Sequence, residues 1–181
     1  MKIAEGMFYK VIAPRTTIIV TTMDHMGDVN AAPFSFVMPV SMNPPRIAFA
    51  CSPDRETLEN IRSTGEFVVN VPTAEMIRGL LICLKKFPPG VNEIIAAGLT
   101  EETSSRVAPP RIKEAVAWFE CRKTNELVAG DHIIILGEVL AAEIDDRLTD
   151  KAGNINMLSS NVLMHVGGPI FSTPGKAVKA E

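Results

Sequence analysis

Hydrophobic and polar positions fall into short blocks along this chain, with no long helical period. Thr16 to Thr22 is dense in β-branched residues and ends at the polar stretch Asp24-His25-Met26-Gly27-Asp28, which predicts a strand entering a hairpin. The return strand is expected over Asn30 to Val37. Pro33 lies inside it and has no N–H to give a ladder, so this strand belongs at a sheet edge or beside a bulge. Ser41-Met42-Asn43-Pro44-Pro45 predicts an extended turn, and the apolar run Arg46 to Cys51 suits a buried strand.

A helix is expected next. Ser52 is a good N-cap, Pro53 fits the first helical position, Asp54 and Glu56 suit the positive end, and Leu58, Ile61 and Arg62 continue at helical spacing until Gly65. Glu66 to Val71 returns as a strand closed by Pro72. Met76, Leu80, Leu81 and Leu84 predict a helix within Thr73 to Phe87, and a second short helix over Val91 to Ala97 follows the Pro88-Pro89-Gly90 break. Val116 to Lys123 and His132 to Ile144 read as long strands joined by a turn around Asn125 and Gly130, and Val162 to Phe171 supplies one more. The expected fold is therefore mainly β with inserted helices, about six or seven strands in a closed or partly closed antiparallel barrel.

Composition narrows the functional classes. The chain has 181 residues, no internal repeat and no composition break, which favours one domain over 1–171 and a flexible tail over 172–181. Charged residues make up 22% and the net charge is −3, so there is no broad electrostatic reason to bind nucleic acid or anionic membrane. The hydrophobic stretches are cut by Gly, Pro or charge before bilayer length, and no membrane span or secretory leader is expected. Cys51, Cys83 and Cys121 are far apart and form no C-x-x-C, which points to a reducing cytoplasm and to no metal site.

Two segments could carry chemistry. Ser52-Pro53-Asp54-Arg55-Glu56-Thr57 opens a helix, whose unpaired N–H groups suit a phosphate, with Arg55 and Thr57 adding a charged fork and a hydroxyl. Taken alone, the same hexapeptide reads more simply as a cap and a solvated arginine. Asn30-Ala31-Ala32-Pro33-Phe34-Ser35 places two alanines on a proline-marked edge strand, where a flat ring could approach the backbone or a helix could pack. No nucleophile elbow, zincin helix, Walker loop or dinucleotide fingerprint occurs.

The order of these segments is more specific than any one of them. Thr16 to Thr22 followed by G-x-x-N-A-A, Ser41-x-x-Pro44-Pro45, Arg55-x-Thr57-x-x-Asn60-Ile61, Gly65-x-Phe67-Val68-Val69-Asn70-Val71, and Gly130-Asp131-His132 leading to Gly137-Glu138-Val139 resembles the flavin reductase-like family, flavoredoxins above all, over about residues 11 to 170. The resemblance implies an FMN-binding split barrel of Greek-key type, usually a homodimer. It puts Asn30, Ala31, Ala32, Pro33, Phe34 and Ser35 along the flavin, with Ser41 nearby, and Cys51, Ser52, Arg55 and Thr57 around the ring edge and phosphate. Asn60 would support them, and His165 would reach the flavin from the C-terminal segment. Cys51 enters as a contact and not a nucleophile. His132 is a weak catalytic candidate that could equally cap a turn.

The expected function is an FMN-dependent oxidoreductase taking electrons from NADH or NADPH and passing them to flavin, a metal chelate or a protein acceptor. The alternatives are an FMN electron carrier reduced by a ferredoxin-like partner, or a binding dimer without redox activity.

Overall fold

A computed structural model describes residues 2–178. The terminal part of the expected tail, residues 179–181, lies outside the described residues, and 173–178 have no regular structure. In chain order the strands are β1 (Arg15–Thr16), β2 (Ile18–Met23), β3 (Val29–Phe34), β4 (Val37–Met42), β5 (Pro45–Cys51), β6 (Glu66–Val71), β7 (Glu101–Glu102), β8 (Arg111–Ile112), β9 (Ala117–Ala129), β10 (His132–Ile144), β11 (Met164–Gly167) and β12 (Ile170–Ser172). The helices are α1 (Glu56–Thr64), α2 (Ile77–Cys83) and α3 (Glu93–Ala96).

The main sheet has seven strands in the order β3-β2-β6-β9-β10-β5-β4. All its pairings are antiparallel. Its two edges, β3 and β4, are consecutive in sequence and are joined only through Ser35 and Phe36. So short a link between opposite edges requires the sheet to curl upon itself. The Ala50 amide donates to the Phe36 carbonyl at 2.8 Å, extending the β4–β5 ladder into this link, and no ladder joins β3 to β4. The result is a split barrel. Pro33 thus occupies the edge strand that its missing N–H demands.

Each connection follows from local chemistry. Asp24 turns the β2–β3 hairpin by accepting the amides of Met26 and Asp28 at 2.8 and 2.9 Å, with Gly27 at φ 91°. Gly65 ends α1 in the left-handed region, as expected from sequence. Asn92 caps α3 by accepting the amides of Ile94 and Ile95.

Four expectations need correction. Ser52 does not cap α1, because the helix begins at Glu56 with Arg55 at its N-cap, and Ser52 Oγ donates to Asp54 Oδ1 at 2.6 Å within a preceding turn. Val37 to Met42, read partly as a turn, is a full strand whose Pro39 is tolerated at the open edge. The turn after β9 comes later than Asn125, at Gly130 with φ 66°, because Thr124 to Ala129 continues the hairpin as an arm. Val162 to Phe171 folds as two short strands, β11 and β12.

Two cores explain why β2 is buried on both faces. Inside the barrel, Ile18, Val20, Phe49, Phe67, Val69, Cys121 and Ile135 pack together, with Leu58 and Ile61 of α1 among them. Outside it, Ile19 and Ala31 meet Leu80 and Cys83 of α2, Ile94 of α3 and Leu163. This second core holds α2 and α3 against the β2–β3 edge.

Gly137 is required on β10 because a Cβ there would stand 2.4 Å from Phe67 Cζ and 2.8 Å from Phe67 Cε1. Gly137→Ala is expected to destabilise the barrel by roughly 1–3 kcal/mol, the usual cost of overpacking, read as a lower midpoint in urea with an unchanged slope. No helix among the described residues is long and apolar enough to cross a membrane.

Candidate functional site

The outward groups of edge strand β3 face a cleft beneath α2 and the loop after it. Two cavities lie along this cleft. One, of about 190 Å³, is lined by Asn30 and Ala32 of β3, by Asp54, Arg55, Glu56 and Thr57 at and before the start of α1, and by Cys83, Lys85, Lys86, Phe87 and Glu93. The other, of about 200 Å³, is lined by Pro33, Phe34 and Ser35 of the same strand, by Leu80 and Leu84, and by Thr17, His165 and Phe171. From Asn30 to Ser35 an extended strand covers roughly 17 Å. A ligand filling both cavities is therefore elongated, held at an apolar end and at a charged one where Arg55, Lys85 and Lys86 face Asp54, Glu56 and Glu93 and the cationic point is Arg55 at the helix start.

At the cationic end, Arg55 makes no ion pair among the described residues, whereas Lys86 stands 3.5 Å from Asp54. The amides opening α1 lack intrahelical acceptors and add a positive dipole end. Thr57 is buried, and its hydroxyl donates to Asn30 Oδ1 at 2.9 Å. Asn60 is buried and donates to Thr22 Oγ1 at 3.2 Å, and it borders neither cavity.

At the apolar end, His165 Nδ1 lies 3.2 Å from both Ser35 Oγ and an Arg15 guanidinium nitrogen, and Nε2 lies 3.1 Å from the Gly168 carbonyl. A guanidinium only donates and a carbonyl only accepts, so these contacts specify the neutral imidazole with its hydrogen on Nε2. His165 thereby ties the C-terminal hairpin to the last residue of the edge segment. Among the described residues Thr17 Oγ1 has no hydrogen-bond partner, and it is sealed from the cavity that other atoms of Thr17 border.

The remaining sequence candidates lie elsewhere. Cys51 turns into the barrel core, fully buried, and burial pushes its thiol up to about 11, so it offers the cleft no reactive group. Ser41 lines a separate apolar cavity at the barrel mouth with Arg46 and Phe119. Ser52 is outside the residues lining the cleft. His132 pairs with Asp131 at 2.8 Å beside the Phe36 ring and borders neither cavity. Phe34, by contrast, borders the second cavity, with its ring 5.0 Å from that of Phe49 between centroids.

Sequence reading missed Thr17, Lys85, Lys86 and Glu93. Lys85-Lys86 carried a signal as a basic pair ending an apolar helix, but nothing local revealed that α2 would fold back over β3. Among the described residues no cluster of side chains could hold a metal ion.

The architecture is a split barrel with a cleft along one edge strand. Residues 11–167 match the family model for the flavin reductase like domain, and the chain belongs to that family. An uncharacterized protein of Aquifex aeolicus is 36% identical over 165 residues, covering 88% of this chain and 84% of the relative. Another, from Methanothermobacter thermautotrophicus, is 34% identical over 169 residues, covering 91% and 80%. Among solved structures, nitrilotriacetate monooxygenase component B of Bacillus cereus superposes with a TM-score of 0.88 at 24% identity, covering 99% of this chain and 95% of that one. Flavoredoxin of Desulfovibrio vulgaris superposes at 0.86 with 17% identity, covering 99% and 97%. These two structures share the fold.

Proposed function

We propose that this chain is an FMN-dependent oxidoreductase that takes electrons from NADH or NADPH and passes them to free flavin, a metal chelate or a protein acceptor. The observation carrying this reading is the cleft along β3, with Arg55 and the start of α1 at one end and an apolar cavity at the other. Membership of the flavin reductase like family and the FMN-binding protein of Thermus thermophilus, a structural neighbour with a TM-score of 0.83, support FMN over other phosphorylated rings.

FMN, when bound, supplies hydride and single-electron chemistry at its ring. The chain's own residues bind and orient it. Arg55 and the first amides of α1 would hold the phosphate. Ala32 and Pro33 would leave space for the ring, and Ser35 and His165 would close the far end. Asn30 keeps the Thr57 hydroxyl in place.

A homodimer fits the exposed apolar residues Met38, Val40 and Met42 on edge strand β4, a row that a second copy would cover. Operation in the cytoplasm agrees with three free, buried cysteines.

Anaerobic stopped-flow mixing of the FMN-loaded protein with NADH and with NADPH tests the donor. Bleaching of the flavin by either nucleotide is expected. A flavin that bleaches only with a reduced ferredoxin-like protein would replace the reductase by an electron carrier.

A further inference from the structure

Glu93 presents an anomaly that FMN binding alone does not explain: a residue only 5% exposed that lines the same small cavity as Arg55, Lys85 and Lys86, yet forms no ion pair among the described residues. Instead it accepts hydrogen bonds from neutral donors. Oε1 takes Asn30 Nδ2–H at 3.2 Å and Oε2 takes the Ala31 amide at 3.1 Å. On an edge strand the Ala31 amide points away from β2 and has no ladder partner, so Glu93 supplies the acceptor that a neighbouring strand would otherwise give. The chain of bonds continues, since Asn30 Oδ1 in turn accepts from Thr57. One carboxyl from α3 therefore sets the strand edge, the Asn30 amide and the Thr57 hydroxyl together.

We infer that Glu93 is a positioning residue of the flavin site, whose carboxyl aligns Asn30, Ala31 and Thr57 and whose charge governs how readily the neighbouring cationic end accepts a phosphate. The inference rests on the FMN reading above. A buried carboxylate and a phosphate dianion in one cavity repel each other, and the repulsion is removed when Glu93 takes a proton. Its surroundings favour that. Asp54, Glu56 and Cys83 face it together with the three cations, and burial followed by the weaker pull of the Ala31 and Asn30 bonds leaves its carboxyl above the usual range.

The sign follows from linkage. Bound phosphate raises the proton affinity of Glu93 further, so FMN affinity is full where Glu93 is protonated in both states and falls as pH rises through its free and then its bound value. The second ionisation of the FMN phosphate, near about pH 6, acts in the opposite direction. Comparison with a variant is therefore needed.

The experiment is equilibrium binding of FMN and of riboflavin, followed by flavin fluorescence, for wild type and Glu93→Gln between about pH 5 and about pH 8.5. Glutamine keeps one acceptor, and a flipped Asn30 amide satisfies its new donor while leaving Thr57 paired. The ratio of Glu93→Gln to wild-type affinity for FMN is expected to rise about three- to tenfold with pH, while that for riboflavin stays level. Parallel FMN profiles for the two proteins would overturn the inference and leave FMN binding intact. Failure of the wild type to bind FMN at any pH would overturn both. Should the variant not fold, calorimetry of the wild type in buffers of different ionisation heat reads the same coupling: proton uptake on binding FMN but not riboflavin supports it, and no uptake across the range contradicts it.

Discussion

Arg55→Ala is expected to weaken FMN binding about ten- to a hundredfold, the loss of a charge-assisted hydrogen-bonding partner worth roughly 1.5–3 kcal/mol. Arg55 is suited to so large an effect because it makes no ion pair among the described residues and stands at the N-cap of α1, where its side chain caps nothing. The guanidinium is thus available to a ligand, and removing it orphans no protein group. The variant should keep its unfolding midpoint, and its riboflavin affinity should change little because riboflavin has no phosphate. Titration of flavin fluorescence reads both. An FMN affinity equal to that of the wild type would refute the phosphate assignment.

Arg111→Ala is expected to cost about 3–5 kcal/mol of stability, the penalty for leaving a buried charge without its partner. The Arg111 and Glu120 side chains are 7% and 1% exposed, and the guanidinium pairs with Glu120 and also reaches Glu143. Glu120 further accepts the amides of Ser105 and Arg106, so this carboxylate pins the segment before β8 to the middle of β9. Burial alone would push Glu120 up, but the bonds from Ser105, Arg111 and Arg106 hold it below the usual carboxylate range. Its contribution is accordingly present above the unfolded carboxylate value and lost as pH falls through the lowered folded one. Denaturant unfolding should show Arg111→Ala with a much lower midpoint and a weaker loss of stability on acidification. A midpoint within a few tenths of a kcal/mol of wild type would show that the network carries little of the fold's stability.

The strands were legible where one residue imposed a constraint that context could not reverse. Pro33 announced an edge, Gly65 ended a helix, and the β-branched run before Asp24 marked the first hairpin. Elsewhere the local signals competed. Ser52-Pro53 has the chemistry of a helix start, yet Ser52 bonds to Asp54 and the helix begins at Glu56. Thr124 to Ala129 looked like a turn because its strand runs on as an arm with few buried positions.

The site was legible as a set of segments and not as a set of side chains. Asn30, Ala32, Pro33, Ser35, Arg55, Thr57 and His165 do line the cleft. Cys51 is on the right strand but points inward, a distinction that depends on strand register. Thr17, Lys85, Lys86 and Glu93 join only because α2 and α3 fold back over β3, a contact made through the second core and written in no local pattern.

The central claim is that the cleft along β3 holds FMN. Its most direct test is the visible absorbance spectrum of the purified protein, before and after addition of FMN, with chromatography of any chromophore released by heat. Two flavin bands and released or taken-up FMN are the predicted result. A colourless protein that takes up no added FMN would contradict the claim and leave the cleft to some other elongated anionic ligand.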